Sequence, residues 1–310
     1  MFTTKYCADS AEYSDVVDCV AIGTYELIDG VRIGDVSLYS WDEKEVLSMK
    51  DHVDCAGVFD MKWDSNNRLL IAHADGTCSI QTICEGAFLG EAQSVTIVED
   101  GYCLSVSWKG NQFATSISNG SIALVDANNI VETIEAHEYP DHSPAEVWIT
   151  AFSEKDTLLG SGADDGILKL WDLRTRTCVL SNRRTHQAGV CSMEFSPHQE
   201  FQFATGSYDS CIRIWDQRNI KQPVKEELDT GGGVWRVRWH PDEQDVLLAA
   251  CMRSGFQIVS GGEVSFCYNN GFESGLWESL GYGSAWVCRK GTCSIATASF
   301  YDKTFRLFCI

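Results

Sequence analysis

Two segments near the middle of the chain hold a histidine, a hydroxyl and a carboxylate in an order that could support nucleophilic catalysis. The two sets are His137, Ser161 and Asp165 ahead of Trp171, and His186, Ser207 and Asp209 ahead of Trp215. These three groups make up a hydrolytic triad when they meet in space. In both sets, however, the aspartate precedes the tryptophan by six residues. Such identical spacing favours a repeated structural unit, and we interpret both sets as buried hydrogen-bond networks that stabilise the fold.

The elements that carry these residues are repeated along the chain. In each of Gly160–Arg174 and Ala204–Arg218, a glycine-containing turn leads into an alternating strand that ends in Trp-Asp. This period of about 45 residues, closed by Trp-Asp, is the WD-repeat signature, and each repeat forms a blade of four short antiparallel strands. The sequence therefore predicts an all-β propeller.

Weaker copies of the repeat bring the predicted number of blades to seven. Blade one is expected at Ala8–Asp51, blade two at Val58–Ile97, blade three at Tyr102–His137, blades four and five from Val147 and Val190, blade six at Gly233–Val259 and blade seven from Tyr282. The last blade ends one strand short. We therefore expect the N-terminal strand, Phe2–Tyr6, to complete it and close the ring, with 1–310 forming a single seven-bladed WD-repeat propeller domain.

Composition narrows the classes of partner. The net charge of −20 disfavours nucleic acid and anionic membranes and favours a basic or cationic partner. Fourteen cysteines without paired spacing predict small buried side chains in a reducing cytosol, with neither a disulfide framework nor a metal site. The start of the chain does not read as a secretory signal, and no apolar run approaches membrane-spanning length, so we expect a cytoplasmic monomer without a cofactor.

The first strand of each blade should line the central channel, so its leading residues are expected at one mouth of the ring. Candidate binding residues at this mouth are Trp148, Asp164, Tyr208, Asp209, Trp235, Arg253, Tyr282 and Tyr301, with Glu146 nearby. Aromatic faces beside carboxylates suit a quaternary ammonium or methylated cation. For any single ring, packing between blades is the alternative.

Several runs of residues resemble one family, and two of the runs, Gly232–Arg236 and Leu248–Met252, hold residues that are not part of the repeat consensus. The runs are His186–Ser192, Gly232–Arg236, Trp239–Pro241, Leu248–Met252 and Ser299–Asp302. The chain resembles the diphthine methyl ester hydrolases, WD-repeat members of the diphthamide pathway that are also called diphthine methyltransferases. The resemblance is densest from Glu146 to Val259. It implies removal of a methyl ester from methylated diphthine on translation elongation factor two, and the trimethylammonium group of that substrate suits the predicted mouth.

Ester hydrolysis requires a nucleophile or an activated water, a base, and a donor to the developing oxyanion. The candidate nucleophiles are Cys191 and Ser192, and the candidate bases are His186 and Glu146. Arg236 or Arg253 could donate to the oxyanion. In the alternative without a protein nucleophile, Glu146 or Asp209 activates a water. Strand alternation places Cys191 and Ser192 on opposite faces, so at most one can face the channel.

Two other functions and two departures from the family pattern bear on this interpretation. A non-catalytic scaffold or a reader of methylated cations could use the same fold. The segment from Val259 to Tyr282 is short, and Ser284-Ala285 stands where the family carries an acidic residue. If that acid were catalytic, the activity of this chain would be in doubt.

Overall fold

The computed structural model describes residues 1–126, 129–153, 155, 157–225, 227–269 and 279–310. Within them the chain forms seven antiparallel sheets of four strands each, which we number as blades in chain order. The strands are β1 Phe2–Thr3; β2 Cys7–Ser14, β3 Cys19–Ile28, β4 Val31–Trp41 and β5 Leu47–Ala56 in blade one; β6 Val58–Trp63, β7 Arg68–His73, β8 Thr77–Cys84 and β9 Ala87–Thr96 in blade two; β10 Cys103–Lys109, β11 Gln112–Ile117, β12 Ser121–Asp126 and β13 Asn129–Glu135 in blade three; β14 Val147–Phe152, β15 Leu158–Ala163, β16 Leu168–Asp172 and β17 Thr177–Asn182 in blade four; β18 Val190–Phe195, β19 Gln202–Ser207, β20 Cys211–Asp216 and β21 Leu228–Asp229 in blade five; β22 Arg236–Trp239, β23 Val246–Ala250, β24 Phe256–Ser260 and β25 Glu263–Tyr268 in blade six; and β26 Gly281–Arg289, β27 Thr292–Ser299 and β28 Thr304–Cys309 in blade seven. The predicted seven-bladed all-β propeller is confirmed. Over the described residues, no helix is long and apolar enough to cross a membrane.

The N-terminal strand completes blade seven, as predicted. Strand β1 pairs antiparallel with β28, with Phe2 opposite Phe305. The Phe2 ring stacks on Phe305 at 5.5 Å and lies 5.1 Å from the ring of Tyr39 in blade one. The paired strand is shorter than the predicted Phe2–Tyr6, because the Thr4 hydroxyl donates to the Tyr6 carbonyl and turns the chain toward blade one.

The hydrophobic core lies between neighbouring blades. Leu168 and Leu170 of blade four, for example, are fully buried against Val190 and Met193 at the start of blade five. This contact depends on small residues in β15, since a Cβ on Gly160 would stand 2.1 Å from the Met193 sulfur. Each blade therefore buries its apolar face mainly against its neighbours, as expected of a repeat protein.

The predicted network in blade four is confirmed. His137 Nδ1 lies 3.0 Å from Asp165 Oδ2, and His137 Nε2 lies 2.8 Å from Ser161 Oγ. Trp171 Nε1 donates to the same hydroxyl at 2.9 Å. Burial lowers the pKa of His137, although the Asp165 carboxylate opposes that shift. These four side chains connect the strands of the blade.

In blade five the predicted hydroxyl is wrong. Thr205, not Ser207, accepts from Trp215 Nε1 at 2.8 Å and lies 3.0 Å from His186 Nε2. The difference follows from the strand register. Ser161 and Thr205, the hydroxyls bound by Trp171 and Trp215, each precede that tryptophan by ten residues. Ser207 instead donates its hydroxyl to the Gly189 carbonyl at 2.9 Å.

The prediction of unpaired cysteines without a ligand cluster is also wrong at one place. Cys288 and Cys293 lie opposite each other on β26 and β27 and form a disulfide. Together with His240 and Asp242 they form a group whose potential ligand atoms lie within 4.8 Å of one another. His240 Nδ1 accepts from two backbone N–H groups, so its free proton sits on Nε2, which faces the Cys288 sulfur at 3.8 Å. With its sulfurs joined and this tautomer, the group is not arranged as a metal site.

The segment from Val259 to Tyr282, which the sequence analysis describes as short for the family, includes residues 270–278, and these lie outside the described residues.

Candidate active site at one mouth of the channel

A β-bulge recurs at the start of the innermost strand in six of the seven blades. The pairing of the first and second strands skips one residue in each of these blades, and in blade six Trp235 occupies the corresponding place immediately before β22. The seven residues at this position are Asp9, Phe59, Leu104, Trp148, Cys191, Trp235 and Tyr282. A bulge re-aims a side chain out of the regular alternation. We call these seven residues the bulge ring.

Six members of the bulge ring line a cavity of about 290 Å³. The members that line it are Phe59, Leu104, Trp148, Cys191, Trp235 and Tyr282, and the remaining lining residues are Tyr25, Arg32, Tyr102, Glu146, Asp164 and Tyr208. The cavity is therefore mainly aromatic, with carboxylates at its rim.

The aromatic rings contact one another around the cavity. Trp235 lies 5.3 Å from Trp148 and 4.8 Å from Tyr282, while Tyr25 lies 4.9 Å from Phe59. The indole Nε1 of Trp235 is buried and has no hydrogen-bond partner among the described residues. The wall thus presents π faces to a ligand and keeps one hydrogen-bond donor unused.

Two carboxylates stand at the rim on blade four. Glu146 is half-buried, and burial together with the neighbouring charge of Asp164 raises its pKa. Asp164 is exposed and accepts a hydrogen bond from the Tyr139 hydroxyl at 2.6 Å. Arg32, the cation nearest this rim, donates to the Tyr102 hydroxyl at 2.7 Å. A cationic ligand entering the cavity would meet this negative rim before the aromatic wall.

Arg236 lies at the start of β22, directly after the lining residue Trp235, and does not itself line the cavity. Its side chain is 5% exposed, donates from Nη2 to the Phe59 carbonyl at 2.8 Å and lies 3.4 Å from Asp60 Oδ1. Its charge also acts on the Asp9 carboxyl and on the Cys191 thiol. A buried guanidinium among cavity residues is a suitable group to stabilise a developing negative charge.

Cys191 and Ser192 point to opposite faces, as predicted. Cys191 lines the cavity, whereas the Ser192 hydroxyl is fully buried and accepts from the Val237 backbone N–H at 3.0 Å. The Cys191 thiol donates to the Gly189 carbonyl, and burial raises its pKa to about 12 despite the opposing charge of Arg236. Such a thiol is almost entirely protonated at neutral pH, which makes it a poor nucleophile.

Cys191→Ala is therefore expected to change kcat/KM for ester cleavage by less than about threefold, whereas loss of a true nucleophile costs several powers of ten. The measurement is steady-state turnover of the methyl ester substrate, with Cys251→Ala as the matched buried-cysteine control. A loss of a thousandfold or more in Cys191→Ala alone would restore the thiol as nucleophile.

The structure does not bring His186 to the cavity. Its ring packs on Trp215 at 5.5 Å inside blade five and is bound to Thr205. Burial, assisted by the charge of Arg213, lowers the pKa of His186 to about 3. The position of His186 thus favours a structural role over that of the base.

Four other predicted site residues, Asp209, Arg236, Arg253 and Tyr301, lie outside the cavity lining. Asp209 accepts from the Gln187 backbone N–H and from Arg213, so its carboxylate is occupied within blade five. Arg253 and Tyr301 are exposed and do not line the cavity. Among the described residues that line the cavity, the negative charge is supplied by Glu146 and Asp164.

Six residues of the site were not predicted from the sequence: Asp9, Tyr25, Arg32, Phe59, Tyr102 and Leu104. Phe59 and Asp9 could have been found by aligning the first strands, since Ala8-Asp9-Ser10 occupies the register of Val147-Trp148-Ile149. Tyr25 and Arg32 come from the second and third strands of blade one, and no repeat signal marks them.

Two larger cavities, of about 390 and 310 Å³, lie at the other end of the inner strands. Three of their charged residues are already paired with one another. Glu12 binds both Lys62 and Arg238 at 2.5 Å. We therefore regard the smaller aromatic cavity, with its unused donor and rim carboxylates, as the candidate site.

Comparison with known proteins agrees with this architecture. The model of the WD domain, G-beta repeat, matches residues 131–172 and 176–216, which correspond to blades four and five. Diphthine methyltransferase of Schizosaccharomyces pombe is 30% identical, and the alignment covers 97% of this chain and 94% of that protein. The chain belongs to the diphthine methyltransferase family. Human diphthine methyltransferase is 33% identical over 83% of this chain and 66% of the human protein. The chain thus spans slightly less than two thirds of the length of this human family member.

A chain in the crystal structure of the mitotic checkpoint complex superposes with a TM-score of 0.76, covering 100% of this chain and 90% of that one. At 18% identity, this likeness concerns the fold alone.

Proposed function

We propose that this chain hydrolyses the methyl ester of methylated diphthine on translation elongation factor two, in the cytoplasm, and that its product is the acid later amidated to diphthamide. The observation that carries the proposal is the cavity framed by the bulge ring. It joins aromatic faces, rim carboxylates and a buried arginine in a chain whose relatives are named for diphthine.

The chemistry of the substrate suits this cavity. Its trimethylammonium group cannot donate hydrogen bonds, so recognition depends on aromatic faces and on negative charge, which Trp148, Trp235 and Glu146 supply. The ester carbonyl develops negative charge during attack, and the buried Arg236, bound to the carbonyl of the lining residue Phe59, is the group proposed to stabilise it. The net charge of −20 also favours approach to a basic partner surface.

The family name refers to methyl transfer, and the two reactions have different requirements. Methyl transfer needs a methyl donor beside the substrate carboxylate, and the mass of the substrate increases. Hydrolysis needs water, a base and a group that stabilises the oxyanion, and the mass decreases. The buried cation of Arg236 and the buried carboxyl group of Asp9, on which that cation acts, support hydrolysis.

Purified protein at catalytic concentration is expected to lower the intact mass of methylated-diphthine elongation factor two by one CH₂ unit and to release one methanol per event. A donor-dependent mass increase would replace hydrolysis by methyl transfer. Unchanged mass with tight binding of trimethyl-lysine peptides would identify a reader, and unchanged mass with stable protein partners would identify a scaffold.

A further inference from the structure

Asp9 is the only carboxylate in the bulge ring. It stands at the bulge of β2, between Ala8 and Ser10, in the register that Trp148 and Cys191 occupy in their blades. Strand β2 lies against β26 here, and a Cβ on Gly283 would stand 2.8 Å from the Asp9 carbonyl oxygen. Blade one therefore carries an acid at the bulge position where the other six blades carry an aromatic or apolar residue, and this acid lies behind the aromatic wall.

The Asp9 carboxyl is buried and unsatisfied. Its residue is 1% exposed, and neither of its oxygens has a hydrogen-bond partner among the described residues. A buried polar group without a partner costs free energy, so such a group points to a functional use or to a ligand not yet in place. The other buried acid nearby, Asp60, accepts from the Val106 backbone N–H and faces Arg236.

The groups around Asp9 come from four strands. Tyr25 of β3, Asp60 of β6, Arg236 of β22 and Tyr282 of β26 all interact electrostatically with its carboxyl. Burial raises the pKa of Asp9 to about 8, with Arg236 opposing the rise and Asp60 adding to it. Tyr25 and Tyr282 also line the cavity, so the acid lies directly behind the substrate-binding wall.

We propose that Asp9 is the general base that activates the hydrolytic water in the reaction proposed above, on which this role rests. The carboxylate takes a proton from water as the water oxygen bonds to the ester carbonyl carbon. Arg236 stabilises the oxyanion. Collapse of the intermediate breaks the bond to the methoxy group, which receives the proton from Asp9 and leaves as methanol. Ester and water thus give acid and methanol, with no other reactant consumed.

A second role for the same carboxylate would be that of a counter-charge for trimethylammonium. The two roles differ in measurable ways. A base sets kcat and the pH profile, because only its ionised form can accept the proton. A counter-charge affects mainly KM, because it acts equally on bound substrate and transition state. The unsatisfied Asp9 oxygens lie behind the aromatic wall, apart from the rim carboxylates of Glu146 and Asp164 that would meet a cation first, and this position favours the base.

The test is Asp9→Asn in the full chain, assayed on methylated-diphthine elongation factor two across pH. We expect wild-type kcat/KM to rise with pH and level off above about 8, and Asp9→Asn to lower kcat by about 10²–10⁴ without that rise. Asp35→Asn is the matched control. Asp35 is a buried acid of the same blade, bound to Thr24 and Ser37 away from the cavity, and its turnover should be unchanged.

Two readouts do not depend on turnover. The carboxyl carbon resonance that disappears in Asp9→Asn should titrate near pH 8 in the wild type. Since a raised pKa makes the native state lose stability as pH rises from about 4 to about 8, Asp9→Asn should melt at a higher temperature than wild type at pH 9. A resonance that titrates near 4 would overturn the proposal.

The outcomes separate the two proposals. An inactive, folded wild type would overturn the hydrolase and with it the role of Asp9. An active wild type with an equally active Asp9→Asn, or with a change confined to KM, would overturn the role of Asp9 and leave the hydrolase in place.

Discussion

Arg236→Met is expected to lower kcat/KM for ester hydrolysis by about 10²–10³, the usual cost of removing one oxyanion donor. Arg236 is buried, is bound to the carbonyl of the lining residue Phe59, and acts electrostatically on Asp9 and Cys191. Its loss would leave developing negative charge in an apolar site without compensation. The measurement is steady-state kinetics, with a loss mainly in kcat, because the interaction is made in the transition state.

The same substitution should also weaken the fold. Arg236 pairs with the buried Asp60, and removing one partner of a buried ion pair costs about 3–5 kcal/mol in unfolding free energy. Kinetics must therefore be measured well below the melting temperature of the variant. Arg218→Gln, which removes an exposed arginine paired with Asp216 on the outside of blade five, is the matched control. If Arg236→Met remained fully active while folded, the oxyanion role would be refuted.

Trp235→Leu is expected to raise KM for the trimethylammonium substrate roughly 30-fold, which corresponds to about 2 kcal/mol for a desolvated cation–π contact. Leucine preserves an apolar side chain but removes the π face that stands between Trp148 and Tyr282. The measurement is KM for the natural substrate and for an analogue that carries a neutral tert-butyl group. Only the charged substrate should lose affinity strongly.

Trp63→Leu provides the control for this substitution. Trp63 lines the cavity at the other end of the inner strands, so the same change there should leave KM unaltered. Equal losses for the charged and the neutral substrate in Trp235→Leu would mean that the ring contributes shape rather than attraction for a cation.

The propeller was predictable because its signal is periodic. Trp171 and Trp215 identified the strongest blades, and the missing last strand pointed to Phe2 as the closing segment. The hydroxyl in blade five was predicted wrongly because the order of residues along the chain does not give the register between strands. Thr205 and Ser207 lie on the same strand, and only the pairing with β20 places Thr205 beneath the Trp215 ring.

The site was partly predictable. Trp148, Trp235 and Tyr282 were found because they lead their strands, which places them at the channel mouth. His186 stood both in the predicted structural network and among the candidate bases, and its contacts with Thr205 and Trp215 agree with the structural assignment. Asp9 was missed because an acid does not resemble the aromatic residues at this position, and only the bulge register that it shares with Trp148 relates the two.

The most direct test of the central claim is hydrolysis of methylated-diphthine elongation factor two in water enriched in heavy oxygen. We expect the wild type to convert the ester to an acid that carries one oxygen from solvent, and Trp235→Leu and Arg236→Met to convert it far more slowly. A substrate that keeps its methyl group in the presence of folded wild-type protein, or that gains a second methyl from an added donor, would contradict it.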